Sequence, residues 1–145
     1  MNRFMLVVAL SLLAAACSSS TPMQSRWEAA NGRNFPEPEP GLAALYLVRD
    51  AAPPDAAPIN ITMGRQPVGG LAGGTWMLFN LPPGLCDLRA FGPDGSTELV
   101  ITPAPGETRF LLVQPTAGGA AELLEMSKSE GRRLVRQGQH IQEIR

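Results

Sequence analysis

Short apolar segments alternate with turn residues from Leu42 onward, and this pattern predicts an all-β domain. In the segment INITM, Ile59 and Ile61 alternate with polar side chains, as in a strand with one buried face. Strong turn signals follow at PPG, residues 82–84, and at GPDG, residues 92–95. Strands of this length and spacing predict a small antiparallel β-sandwich of about seven or eight strands.

The pattern changes after residue 126, where a short C-terminal helix is predicted. Ser127 followed by Glu130 matches a capping box, which marks a helix start. Gly138 is placed to end the helix in a left-handed conformation. Leu134 and Val135 are the side chains expected to dock this helix on the sandwich.

The first residues predict an export signal. Arg3 is the only charge before an apolar run from Phe4 to Ala16, a length typical of the centre of a signal peptide. The run is shorter than the roughly 20 apolar residues that a transmembrane helix needs. We therefore predict a signal peptide over residues 1–16. The alternative is a buried N-terminal helix.

Cys17 directly follows three alanines, and this junction resembles a bacterial lipobox, in which the cysteine thiol is acylated before cleavage. The usual leucine stands one position early, at Leu13. The resemblance implies a lipid anchor on Cys17, since several acyl chains together hold a protein firmly in a membrane. Ser18 rather than aspartate comes next, which in the lipoprotein sorting pattern favours the outer membrane, with the protein facing the periplasm.

The predicted domain organisation has four parts. A signal peptide over residues 1–16 precedes the lipidated cysteine and a flexible tether over residues 17–41. In that tether prolines alternate with glutamates in FPEPEPG, which favours an extended, semi-rigid spacer. The β-sandwich domain is predicted over residues 42–138, and residues 139–145 are predicted to form a tail.

Four segments of the domain resemble an uncharacterised family of bacterial envelope lipoproteins with a PPGxHxL-type β-sandwich. The segments are MGRQPVGGL, GTWMLFNLPPGLCDL, PGETRFLLV and SKSEGRR, within roughly residues 42–137. Trp76 stands where that family has tyrosine, and Cys86 where it commonly has histidine. The resemblance implies a fold similar to PEGA and carboxypeptidase-regulatory domains, and it brings no known active site.

Composition and charge exclude several functional classes. The chain has 12 basic and 13 acidic residues and a formal charge of -1, which argues against a general nucleic-acid binder. It has a single histidine, His140, and no zinc-ligand spacing or G-x-S-x-G motif. No metal, cofactor or catalytic residue is therefore predicted.

Cys86 is the thiol that remains if Cys17 is lipidated. It alternates with Leu88 and Ala90, which favours a buried structural cysteine. A redox or disulfide role is the alternative, and it would need exposure and a lowered thiol pKa.

Trp76 and Leu78 lie on the strand face opposite Met77 and Phe79, so apolar side chains occupy both faces of this strand. One interpretation is that the C-terminal helix or the tether covers Trp76 and Leu78. The other is a partner-binding surface.

The basic residues Arg132, Arg133 and Arg136 would extend that surface along the helix. Anionic lipid headgroups, lipopolysaccharide phosphates or an acidic protein would suit such a surface. A solvated helix face is the other interpretation of these arginines.

Together these patterns predict a lipid-anchored, non-enzymatic envelope protein. It would be held at the membrane through Cys17 and would bind an envelope protein or a glycan. The alternative function is a small envelope hydrolase or thiol-redox enzyme that uses His140 or Cys86.

Overall fold

Two β-sheets pack face to face, and two helices cover the outer face of the larger sheet in this computed structural model, which describes Met23 and residues 26–141. The side chains of residues 26 and 27 are not described. The elements are, in chain order, α1 Arg26–Arg33, β1 Ala43–Arg49, β2 Ile59–Met63, β3 Gln66–Leu71, β4 Thr75–Leu81, β5 Cys86–Gly92, β6 Gly95–Ile101, β7 Thr108–Pro115, β8 Ala121–Glu125, α2 Lys128–Gln137 and β9 Gln139–His140.

The strand order is β8-β7-β1-β4-β9 in the larger sheet and β3-β2-β5-β6 in the smaller one. The predicted small β-sandwich with a short C-terminal helix is confirmed. Two strand pairs, β1 with β7 and β4 with β9, are parallel, whereas the other pairs among the described strands are antiparallel.

The main core lies between the two sheets and follows the period-two alternation of the strands. From the larger sheet, β4 contributes Met77, Phe79 and Leu81 to this core. From the smaller sheet, β5 contributes Leu88 and Ala90, which are fully buried. The opposite face of the smaller sheet is solvated, and it carries the exposed Arg89–Glu98 ion pair as well as the exposed apolar side chains of Phe91 and Val100.

The larger sheet has a second apolar layer on its other face. All seven residues of β1 are buried, so this strand must be covered on both sides. Tyr46, Trp76 and Phe110 line the outer face and pack against Leu134 and Val135 of α2. The molecule therefore has three layers: helices, a five-stranded sheet and a four-stranded sheet.

The start of α2 matches its sequence signal, and its end differs. The Ser127 hydroxyl accepts a hydrogen bond from the Glu130 amide at 3.3 Å, which is one of the two bonds of a capping box, while the Glu130 carboxylate accepts from Arg133 instead. Gly138 has φ -90° and ψ 178°, so it ends the helix in extended backbone and not in the left-handed conformation that was expected. The extended conformation leads the chain directly into β9.

The segment predicted as a flexible tether includes a packed helix, α1. Ala29 and Gly32 are buried on its inner side, and the Tyr46 hydroxyl donates a 2.8 Å hydrogen bond to the Gly32 carbonyl. Phe35 follows with φ 52°, a left-handed conformation unusual for a residue with a side chain. Its ring packs against both Tyr46 and Phe110, with centroids 5.6 and 6.0 Å apart, which offsets that strain. The prediction of a flexible tether is therefore wrong for residues 26–35.

The predicted tail also belongs partly to the folded domain. Residues 139–140 form β9 beside β4, and Ile141 is fully buried in the main core. Ile141 in turn forms an antiparallel bridge with Met23, which joins the two ends of the described chain. The folded unit thus runs from residue 26 to residue 141, with Met23 attached at its edge.

The signal peptide over residues 1–16 and the acylation site Cys17 lie outside the described residues. In the part of the chain that the structure describes, neither helix is long and apolar enough to cross a bilayer.

Gly32 tests whether α1 is an integral part of the fold. A Cβ atom added at Gly32 would lie 2.5 Å from Trp76 Cη2, and Trp76 has no free space because it is fully buried. We expect Gly32→Ala to lower the free energy of unfolding by about 1–3 kcal/mol, despite the better helix propensity of alanine. Urea unfolding followed by circular dichroism measures this loss.

The matched control is Asn31→Ala, which changes an exposed position of the same helix. It should alter stability by less than about 0.5 kcal/mol. Equal stabilities for the Gly32 variant and the wild-type protein would show that α1 does not pack on Trp76.

Candidate functional site

The structure separates the residues of the expected partner surface. Trp76 is 0% exposed, because α1, α2 and β9 enclose its indole ring. Leu78 is half-buried against the same apolar layer. Trp76 therefore offers no contact area to a partner, and the interpretation that the C-terminal helix covers it is correct.

Arg132, Arg133 and Arg136 remain on the outside of α2, where all three are exposed. The guanidinium groups of Arg132 and Arg136 lie over the Phe35 ring, 5.2 and 5.3 Å from its centroid. This distance is within the range of a cation–π interaction. We call Arg132, Arg136 and Phe35 together the arginine surface.

Arg133 has a different role from its two neighbours. Its guanidinium donates hydrogen bonds to both carboxylate oxygens of Glu130, at 3.0 and 2.5 Å, and to the Gln137 side chain at 2.8 Å. The charge of Arg133 is thus partly neutralised along the helix. Neither Arg132 nor Arg136 forms an ion pair with a described residue, so the arginine surface carries two unpaired positive charges.

Tyr46 supports this surface from below. Burial raises the pKa of the Tyr46 hydroxyl to about 12, and the nearby positive charge of Arg132 opposes that rise. The hydroxyl therefore stays neutral and keeps donating to the Gly32 carbonyl. Its ring stacks on Phe110 with centroids 4.8 Å apart, and this stack holds α1 and Phe35 against the sheet.

His140 is buried in the same layer and is not available as a surface group. Its ring lies flat on the Trp76 indole, with centroids 3.9 Å apart and an interplanar angle of 5°. Burial lowers the pKa of His140 to about 4, while Glu28 opposes and Arg33 reinforces that shift. At neutral pH the imidazole is therefore uncharged, and its Nδ1 atom is buried without a hydrogen-bond partner among the described residues.

Cys86 is buried on the other side of the larger sheet, within the core between the two sheets. It is 9% exposed, which confirms the interpretation of a buried thiol. Burial raises the pKa of the thiol, and the neighbouring charge of Asp87 raises it further. Because a thiol reacts as its thiolate, this environment suppresses its reactivity.

An apolar cleft of about 240 Å³ lies next to Cys86, and the sequence analysis did not identify it. Its lining includes Cys86 itself, together with Leu81, Leu85 and Asp87. Leu85 is 81% exposed because the Pro82–Gly84 turn places it at a tip. The cleft carries one charged side chain and no group poised for chemistry. Across the described residues, no group of three or more histidine, cysteine, aspartate or glutamate side chains is arranged to hold a metal ion.

Phe35 and Gly32 are the important residues that sequence analysis missed. A signal for α1 exists: Ala29, Gly32 and Phe35 recur at intervals of three residues, as on one face of a helix. Ser25 followed by Glu28 also matches the capping-box pattern in the sequence. The proline-rich segment immediately after Phe35 obscured both signals.

Burial of Cys86 predicts slow reaction with a thiol reagent. In a Cys17→Ser background, so that Cys86 is the remaining thiol of the chain's two cysteines, the native protein should react much more slowly with a disulfide reagent than the urea-unfolded protein. Stopped-flow absorbance measures both rates. Similar rates in the two states would show that Cys86 is accessible and would favour the redox alternative.

The neutral state of His140 predicts a specific loss of stability in mild acid. The pKa of His140 in the folded protein, about 4, is below the ordinary value of 6.5. As the pH falls, the unfolded chain therefore binds a proton at His140 before the folded protein does. The contribution of neutral His140 to the free energy of unfolding is therefore fully present above pH 6.5, and it falls as the pH decreases toward the folded-state pKa of about 4. Between about pH 7.5 and about pH 5 the loss from this group should be about 2 kcal/mol.

Urea unfolding of the wild-type protein and of His140→Phe at several pH values measures that loss. Phenylalanine preserves an aromatic ring against Trp76 and removes the titration. The variant should lose about 2 kcal/mol less than the wild-type protein over the same pH range. Parallel pH profiles would mean that His140 titrates normally in the folded protein.

No protein-family model matches this chain, and no curated protein matches its sequence. The resemblance to envelope lipoproteins stays a prediction.

Proposed function

We propose that this protein is a lipid-anchored, non-enzymatic module of the bacterial cell envelope. In this proposal Cys17 carries the anchor, the protein is attached to the outer membrane and faces the periplasm, and it binds an envelope protein or a glycan. The resemblance to a family of envelope lipoproteins supports the same assignment.

The observation that carries the non-enzymatic part is the placement of the two reactive side chains. Cys86 is buried between the sheets with a raised thiol pKa. His140 is buried against Trp76, on the side of the larger sheet that the helices cover, with a pKa of about 4. The larger sheet separates them, so they do not form a nucleophile and base pair. A nucleophile and its base need to lie within hydrogen-bond distance.

The alternative function, a small hydrolase or thiol-redox enzyme, therefore lacks support from either residue. A hydrolase would need an accessible base near neutral pKa, and His140 is 7% exposed and stacked on Trp76. A redox enzyme would need an accessible thiolate, and Cys86 is a buried thiol.

The observation that supports a binding role is the arginine surface. Two exposed guanidinium groups lie over Phe35 and have no carboxylate partner among the described residues. A positive surface held in place by aromatic packing suits an anionic partner, since less side-chain freedom is lost on binding.

Cys17→Ser tests the lipid anchor in bacteria that process lipoproteins. Without the thiol no acyl chain is attached, so the variant should not incorporate a labelled fatty acid and should leave the membrane fraction. Metabolic labelling and cell fractionation measure these two changes.

Cys86→Ser is the matched control, because it removes the other cysteine and leaves the leader unchanged. It should retain both the label and the membrane association. Continued labelling and membrane association of the Cys17 variant would overturn the proposed anchor.

A further inference from the structure

We propose that the helical layer faces the membrane and that the arginine surface contacts the headgroups of anionic phospholipids. The helical layer means α1 and α2. This inference rests on the proposed lipid anchor at Cys17, and it adds an orientation and a lipid preference to it.

The distance along the chain from the proposed anchor to the fold is short. Five residues, and therefore six residue-to-residue steps, separate Cys17 from Met23, where the chain joins the structure by its bridge to Ile141. Even fully extended, six steps span about 20 Å, so Met23 must lie within that distance of the anchored cysteine. The edge of the larger sheet at β9 is therefore held close to the membrane surface.

That edge leads directly into the helical layer. Helix α1 begins three residues after Met23, and Arg33 near its end donates a 2.6 Å hydrogen bond to the Gly138 carbonyl beside β9. Gly138 connects β9 to α2. The short connection thus reaches the molecule at the edge of the larger sheet, from which the chain continues into α1, and not at the smaller sheet.

The charge of α2 complements an anionic surface. This helix carries four basic residues, Lys128, Arg132, Arg133 and Arg136, and one acidic residue, Glu130. Each basic residue near an anionic bilayer contributes about 1 kcal/mol. The exposed Glu28, Glu37 and Glu39 lie on α1 and on the segment after it, so the excess of positive charge is confined to α2.

The two unpaired arginines are the residues best placed for this contact. Arg132 and Arg136 are one helical turn apart on the same exposed side, with both guanidinium groups fixed over Phe35. By contrast, Arg89 on the solvated face of the smaller sheet is already paired with Glu98. The lipid preference should therefore belong to the helical layer.

The attraction of Arg132 and Arg136 to anionic headgroups is too weak to hold the protein at a membrane by itself. The short connection between Cys17 and Met23 makes this attraction effective. Two arginines contribute about 2 kcal/mol, which corresponds to very weak binding in solution. Attachment at Cys17 turns the contact into an intramolecular event with a high effective concentration. Because the charges are exposed, the preferred orientation should weaken as salt is added.

The test uses the chain from residue 17 onward, which retains every residue the structure describes. A Cys86→Ala substitution leaves Cys17 as the single thiol, and that thiol is coupled to a maleimide-headgroup lipid in nanodiscs. The discs contain phosphatidylcholine alone or phosphatidylcholine with phosphatidylglycerol, together with a gadolinium-chelating lipid. Line broadening of backbone amides then reports which face lies near the membrane.

In discs with phosphatidylglycerol, amides of α1 and α2 should broaden several-fold more than amides of β2, β3, β5 and β6. Arg132→Gln combined with Arg136→Gln should remove this difference, while lysine at both positions should retain it. Arg89→Gln, on the opposite face, should have no effect. Added salt should reduce the broadening of α2.

Three outcomes would overturn the inference: equal broadening of both faces, strongest broadening of the smaller sheet, or the same pattern in discs without phosphatidylglycerol. Chemical coupling replaces acylation here, so the result does not depend on whether cells acylate Cys17. Failure of the orientation is thus distinct from failure of the proposed anchor, which the labelling experiment tests.

Discussion

Burial of β1 on both faces is the constraint on which the rest of this structure depends. A strand whose seven residues are all buried needs an apolar partner above and below it. The smaller sheet provides one cover, and the helical layer provides the other. Burying a large side chain such as Trp76 contributes roughly 1.5–3 kcal/mol, so losing the helical cover would expose several such contributions together.

The same layer controls the chemistry of the side chains within it. Tyr46 and His140 are both titratable, yet burial raises the pKa of one and lowers the pKa of the other, so both remain uncharged near neutral pH. Arg49, at the end of β1, is by contrast a charged side chain that is buried. It is 5% exposed, and its guanidinium donates hydrogen bonds to the carbonyls of Ala57 and Leu71 at 2.8 and 2.7 Å. Positive charge thus occurs both inside, where Arg49 binds two backbone carbonyls, and outside, on α2.

Sequence patterns predicted the parts of the fold that depend on local periodicity and capping. The alternation around Met77 and Phe79 correctly placed them in the core, and Ser127 correctly marked the start of α2. The patterns did not predict what depends on long-range packing. The stack of His140 on Trp76 joins residues far apart in sequence, and the left-handed backbone of Phe35 accompanies the packing of its ring against Tyr46 and Phe110. For the candidate site, the arginines were identified, but the aromatic ring beneath them was not.

The bridge between Met23 and Ile141, at the two ends of the described residues, also bears on the order in which the layers of the fold can form during synthesis. Synthesis delivers α1 and β1 first, whereas α2 and β9, which close the layer over Trp76, arrive within the last residues of the described chain. The early strands therefore have no finished outer cover until α2 and β9 have been made. Until then the outer apolar faces of β1 and β4 stay exposed, so the last described elements decide when this layer can close.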